Sequence, residues 1–217
     1  MTDQTAADQA ASQRPRVWQA GEGPVSVWSV PNLITYLRIL FVPALVAALI
    51  IDAGEHGAWR WVAAGIFIVG IASDAVDGYL ARSRNLISNV GKLLDPIADK
   101  AITGTTMVML SMLGELPWWV TIVILMRELG ITIWRLIEAR RIVLPAGRGG
   151  KLKTVVQALA LSLALLPLPA LLGDWMHWVN TVFMGAALIL TVWSGADYLV
   201  RAYWKNERIR PNAEESR

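Results

Sequence analysis

The chain has 217 residues, 55% of them hydrophobic, and a formal net charge of +3. With a mean hydropathy of +0.45, it is too apolar for an ordinary soluble domain and points to an all-α integral membrane fold, a small bundle of spanning helices. It has no cysteine, which excludes disulfides, thiolate nucleophiles and thiolate metal sites, and no basic soluble face suggests a nucleic-acid partner.

Residues 1–24 are polar and lack the apolar stretch of a signal peptide, so they read as a disordered cytoplasmic tail. Residues 25–204 are expected to form the membrane domain and 205–217 a cytoplasmic C-terminal tail. Crossing the hydrocarbon core takes about 20 apolar residues. Six windows qualify: Leu33–Ile51, Trp59–Ala81, Leu93–Leu113, Pro117–Ile137, Val155–Leu172 and Trp175–Trp204. Pro31 and Asn32 open the first, and Pro43 is placed to bend it. Pro167 and Pro169 fall near the end of the fifth, and the length of the sixth implies tilt or projection beyond the bilayer.

Lysine and arginine set the orientation. Segments 52–58, 114–116 and 173–174 contain neither, although Arg60 lies just beyond the first. Opposite them stand Arg14 and Arg16; Arg82, Arg84 and Lys92; a run from Arg135 through Arg140, Arg141, Arg148 and Lys151 to Lys153; and Arg201, Lys205, Arg208, Arg210 and Arg217. Both termini are therefore expected in the cytoplasm, in agreement with an even number of spans. Trp18, Trp28, Trp59, Trp61, Trp118, Trp119, Trp175, Trp178 and Trp204 flank the spans as interfacial anchors do. No internal repeat supports an inverted-repeat transporter.

The decisive stretch reads DAVDGYLARSRNLISNVGKLLDPIAD from Asp74 to Asp99. It sets four aspartates inside spans two and three, where each ionised carboxylate costs about 2.5–3.5 kcal/mol to insert. Like charges about 5 Å apart add roughly 3 kcal/mol per pair at an effective dielectric near 20. Asp74 lies about 22 Å along the second helix from Trp59, past the midplane toward the cytoplasm, and Asp95 and Asp99 come early in the returning span. Asp74 and Asp77 are three residues apart and Asp95 and Asp99 four, so each pair shares a helix face. Asn85, Ser88 and Asn89 provide the break between the two helices.

An oxygen-only donor set suits Mg²⁺ or Mn²⁺, and two such ions clamp a diphosphate. His56 and His177 map to the opposite side. Gly78 and Gly91 suit either close approach of a phosphate or helix packing. Asp99, deepest in the bundle, is the candidate general base if the acceptor is an alcohol. The bland reading has Arg82, Lys92 and Lys100 neutralise the carboxylates as structural ion pairs, an arrangement that rarely gains stability.

The pattern Asp74-x2-Asp77-Gly78-x2-Ala81-Arg82-x8-Gly91-x3-Asp95-x3-Asp99 resembles, at every fixed position, the signature of the CDP-alcohol phosphotransferase family. Within it, VPNLITYLRIL (30–40), LLDPIADK (93–100), MRELGITIWR (126–135) and GKLKT (150–154) are most similar to members that make phosphatidylglycerophosphate. The resemblance implies six transmembrane helices, a homodimer, and a site open to the cytoplasmic leaflet of a bacterial inner membrane. It implies a metal centre on Asp74, Asp77, Asp95 and Asp99, with Asp99 as base. Asp74, Gly78, Ala81, Arg82 and Gly91 would contact the cytidine diphosphate portion. The implied reaction joins CDP-diacylglycerol to sn-glycerol 3-phosphate, releasing CMP.

Such an acceptor carries a phosphate that needs cations. Arg127 and Glu128 lie within the fourth span, where an unpaired charge is costly. Arg135, two turns on, and Arg148, Lys151 and Lys153, at the glycine-rich opening of the fifth helix, complete a candidate anion site. Arg140 and Arg141 read as topology signals instead. Arg38 is expected to face the bundle, and Asp197 to act as a polar lock. Inositol phosphate or phosphatidylglycerol as acceptor preserves the chemistry. A divalent-cation transporter would need a polar route to the outer face, and a non-catalytic lipid-binding scaffold would survive loss of Asp99.

Overall fold

The computed structural model describes residues 30–84, 89–138 and 148–209, with side chains for 33–73, 97–134 and 152–200. Among these the chain is all helical: α1 (Val30–Asp52), α2 (Ala58–Arg84), α3 (Asn89–Met112), α4 (Trp118–Glu138), α5 (Arg148–Leu165), the short α6 (Leu168–Leu172) and α7 (Trp175–Ile209). Residues 1–29, the break at 85–88, residues 139–147 with Arg140 and Arg141, and 210–217 lie outside the described residues.

Five of the six apolar windows correspond to single helices. Pro43 sits inside α1, which continues through it. The fifth window is different: α5 stops at Leu165 and α6 resumes at Leu168. A continuing helix would need N–H donors at 167 and 169 for the carbonyls four residues back, and both residues are proline. The N–H of Leu168 is turned to the Leu166 carbonyl at 2.8 Å. The carbonyls of Ala164 and Leu165 are thereby orphaned, and a side chain must take them.

That side chain is Arg60, near the start of α2 and 0% exposed. Its Nε donates to the Leu165 carbonyl at 3.0 Å and its Nη2 to that of Ala164 at 3.2 Å. Nη2 also bonds Glu115, and Nη1 lies 3.9 Å from Asp52. Glu115 is set by the end of α3, where Gly114 adopts φ +75°. The Gly114 N–H bonds the Ser111 carbonyl (3.1 Å) and the Glu115 N–H that of Leu110 (2.9 Å), a Schellman closure. Asp52 in turn accepts the Gly57 N–H at 3.0 Å. One guanidinium thus ties together four helix ends at the end of the bundle opposite the aspartates.

α1 packs along α2 and α3, α5 along α7, and α2, α3 and α5 touch one another. Leu45, Leu49, Phe67, Ile102, Leu110, Ile124, Leu161 and Leu165 make the shared core. The outside is apolar: Leu40, Ile50, Trp119, Met126, Trp178 and Trp193 are exposed, while Thr35, Arg38, Glu128, Lys153 and Gln157 are buried. This distribution inverts that of a water-soluble protein and suits a bundle solvated by lipid. Two helices, Leu33–Asp52 and Trp175–Val200, are long and apolar enough to cross a membrane by composition alone. Arg38 faces the bundle as expected, and Trp59, Trp61, Trp118, Trp119, Trp175 and Trp178 are exposed where the connecting turns gather.

Candidate active site

The site forms where α2, α3 and α5 meet. A small open cleft is walled by Ile71 from α2, Asp99, Lys100 and Thr103 from α3, and Lys153, Thr154, Gln157 and Ala158 from α5. The α3 residues follow from helical spacing: Asp99 and Thr103 are one turn apart, and the Thr103 hydroxyl returns to the Asp99 carbonyl at 2.8 Å. Lys153 and Gln157 stand in the same relation on α5, where Gln157 also reaches the Met107 sulfur at 3.7 Å.

Asp99, its side chain 26% exposed, has one carboxylate oxygen 3.5 Å from the Lys100 ammonium. Lys100 also binds Oε2 of Glu128, whose Oε1 binds Lys153. Arg127 adds a bond to the same Oε1 at 3.2 Å. Its other nitrogen donates to the Ser194 hydroxyl at 2.6 Å, and Ser194 donates to the Thr191 carbonyl at 3.2 Å. Gly195 lets Arg127 lie this close to α7, since a Cβ there would stand 3.2 Å from Arg127 Cγ. The described groups amount to three cations, Lys100, Lys153 and Arg127, around two carboxylates, Asp99 and Glu128. The surplus positive charge borders the cleft.

Of the residues singled out from the sequence, Asp99 and Lys153 come together in one cleft, and Arg127 sits behind it against Glu128 and α7. Asp74, Asp77, Gly78, Ala81 and Arg82 fall on α2, Gly91 and Asp95 on α3, Arg135 on α4, and Arg148 and Lys151 on α5. The side chains of all ten lie outside the described residues. Their register is still informative. Asp74 is one turn beyond the cleft-lining Ile71, and Asp95 one turn before Asp99. Sequence reasoning named Lys100 only within the disfavoured alternative of structural ion pairs and passed over Thr103 and Gln157. The i+4 steps from Asp99 and Lys153 carry the signal for the latter two.

A carboxylate-only donor set, with the half-buried Asp99 at the cleft, has the chemistry of a hard divalent cation site. Among the described residues no group of three or more His, Asp or Glu is gathered, and Asp99 is the one candidate ligand whose side chain is described.

The fold is an all-α bundle with an apolar outside and a cleft bordered by Asp99, Lys100 and Lys153, and the sequence matches place it in a class. Residues 28–193 match the family described as CDP-alcohol phosphatidyltransferase. The chain belongs to that family. It is 46% identical over 193 residues to a Mycobacterium tuberculosis (strain H37Rv) protein named "Probable phosphatidylglycerophosphate synthase", covering 89% of this chain and 90% of the relative. It is 35% identical over 188 residues to the CDP-diacylglycerol–glycerol-3-phosphate 3-phosphatidyltransferase of Bacillus subtilis, covering 79% and 94%. A Rickettsia prowazekii protein of the same name is 30% identical over 171 residues, covering 78% and 93%.

Proposed function

We propose that this enzyme transfers a phosphatidyl group from CDP-diacylglycerol to sn-glycerol 3-phosphate, giving phosphatidylglycerophosphate and CMP. One observation carries the reading: a carboxylate able to act as base, Asp99, shares a cleft with the buried cation Lys153. A glycerol phosphate offers one partner for each, a hydroxyl and a phosphate. The names of the relatives in Mycobacterium tuberculosis and Bacillus subtilis agree with it.

Asp99 takes the proton of the glycerol 1-hydroxyl as its oxygen bonds to the phosphorus that carries the lipid. The bond from that phosphorus to the bridging oxygen breaks in line, and CMP departs with the electron pair. No protein nucleophile is required, so positioning does most of the catalysis. Asp74, Gly78, Ala81, Arg82 and Gly91 hold the cytidine diphosphate portion. Lys153, with Arg127, Arg135, Arg148 and Lys151, supplies the positive field for the acceptor phosphate. Two Mg²⁺ or Mn²⁺ ions, held by Asp74, Asp77, Asp95 and Asp99, would neutralise the diphosphate and the charge that develops on the leaving group.

The proposed setting is a bacterial inner membrane, with six spans formed by α1 to α5 and α7. The site and both termini face the cytoplasm, residues 25–204 are the membrane-embedded part, and 1–24 and 205–217 are tails. Lipid surrounds it, and a second copy completes a homodimer. Asp52 and Glu115, at the opposite end, are engaged by Arg60, which weighs against their lining a cation route.

Purified protein supplied with CDP-diacylglycerol and Mg²⁺ should release CMP with glycerol 3-phosphate, and not with inositol phosphate or phosphatidylglycerol. CMP release with either of those, and none with glycerol 3-phosphate, would refute the choice of acceptor.

A further inference from the structure

We infer that Glu128 is a positioning residue for the acceptor phosphate, setting the spacing of a two-lysine clamp beside Asp99. The inference rests on the reading of the acceptor as glycerol 3-phosphate. Glu128 is 5% exposed and stands behind the cleft wall. Each of its oxygens is committed to a cation, Oε2 to Lys100 and Oε1 to Lys153 and Arg127. A carboxylate so occupied is neither a base nor a metal ligand. Both of its lysines, however, line the cleft, one from α3 and one from α5. A lysine ammonium has three donors on a flexible stem. Anchoring each to one buried carboxylate fixes where the remaining donors point. Two ammoniums held in this way, with Asp99 adjacent to one of them at 3.5 Å, match a phosphate monoester whose hydroxyl must reach that aspartate. Arg127, hydrogen-bonded to Ser194 on α7, braces Glu128 from behind.

The experiment is steady-state kinetics on full-length protein in detergent, comparing wild type with Glu128→Gln, Glu128→Asp, Lys153→Met and the double variant Glu128→Gln/Lys153→Met. Glu128→Gln should raise KM for glycerol 3-phosphate about ten-fold or more, leaving kcat and KM for CDP-diacylglycerol within about three-fold. Glu128→Asp keeps the buried charge and so the fold, but it is one methylene short of spanning both lysines, and should give an intermediate rise. In the Lys153→Met background the glutamine substitution should raise the acceptor KM by less than it does in the wild type, because only the Lys100 arm of the clamp is left to lose. A merely structural glutamate would reduce the yield of active enzyme without moving KM. An unchanged acceptor KM in Glu128→Asp, or a parallel rise in KM for CDP-diacylglycerol, overturns the assignment and leaves the proposed reaction standing. Wild type that turns over another acceptor and ignores glycerol 3-phosphate overturns both.

Discussion

In the proposed reaction Asp99 serves as base and Lys153 meets the acceptor phosphate, so their variants should separate cleanly. Asp99→Asn keeps the size of the side chain and removes the base, so kcat should fall by about 10²–10⁴-fold, the range for loss of a general base. CMP release under saturating substrates checks this, and KM for CDP-diacylglycerol should stay within about three-fold. Lys153→Met keeps the apolar stem and removes the charge. A hydrogen bond to a charged group contributes about 1.5–3 kcal/mol, so KM for glycerol 3-phosphate should rise on the order of 10–100-fold, with kcat little changed. Equal loss of kcat and kcat/KM in Lys153→Met would place that ammonium on the transition state instead of the acceptor. The aspartates stood out in the sequence because ionised carboxylates inside apolar runs are costly and their helical spacing is local. Glu128 was visible only as a charge out of place. Its partners Lys100 and Lys153 come from two other helices, 28 and 25 residues away, and only the way those helices pack brings them together.

At the level of elements, the six apolar windows largely foretold the helices, since each is a run long enough to span between polar turns. The exception is instructive. Two prolines near the end of the fifth window were noted, and their consequence depends on hydrogen-bond accounting. They remove the N–H groups that would continue α5, and α2 supplies the replacement through Arg60. In the sequence Arg60 read only as a cation near a loop otherwise free of Lys and Arg, which leaves its role as a helix cap invisible. Arg60→Met should strip the Ala164 and Leu165 carbonyls of their donor and remove the guanidinium that Asp52 and Glu115 share, leaving Glu115 with His56 at 3.5 Å. Breaking a buried pair in this way costs about 3–5 kcal/mol, to be read as a lower thermal midpoint in detergent. Arg60→Met/Glu115→Gln should recover part of that loss, because it removes the stranded charge as well. The acceptor KM should not move in either variant, since Asp99 lies 13 residues along α3 from its last residue, Met112, about 20 Å at the helical rise.

For the whole molecule, the reading turns on which side of the membrane each end of the bundle meets. Lys and Arg concentrate toward the end that carries the aspartates, while Trp59, Trp61, Trp118, Trp119, Trp175 and Trp178 stand at the other. By the positive-inside rule the aspartates then meet the cytoplasm, where glycerol 3-phosphate and cytidine nucleotides are available. The native chain has no cysteine, so single thiols can report the topology against a silent background. Glu55→Cys, in the turn after α1, and Asp174→Cys, before α7, are exposed positions at the Arg60 end. They should react with a membrane-impermeant maleimide in intact cells. Ser12→Cys and Ser216→Cys, in the two tails, should react only after the cells are permeabilised. A six-span bundle requires both tails to behave alike. Labelling of one tail from outside would make the number of crossings odd, and labelling of both from outside would turn the aspartate cleft away from its water-soluble substrates.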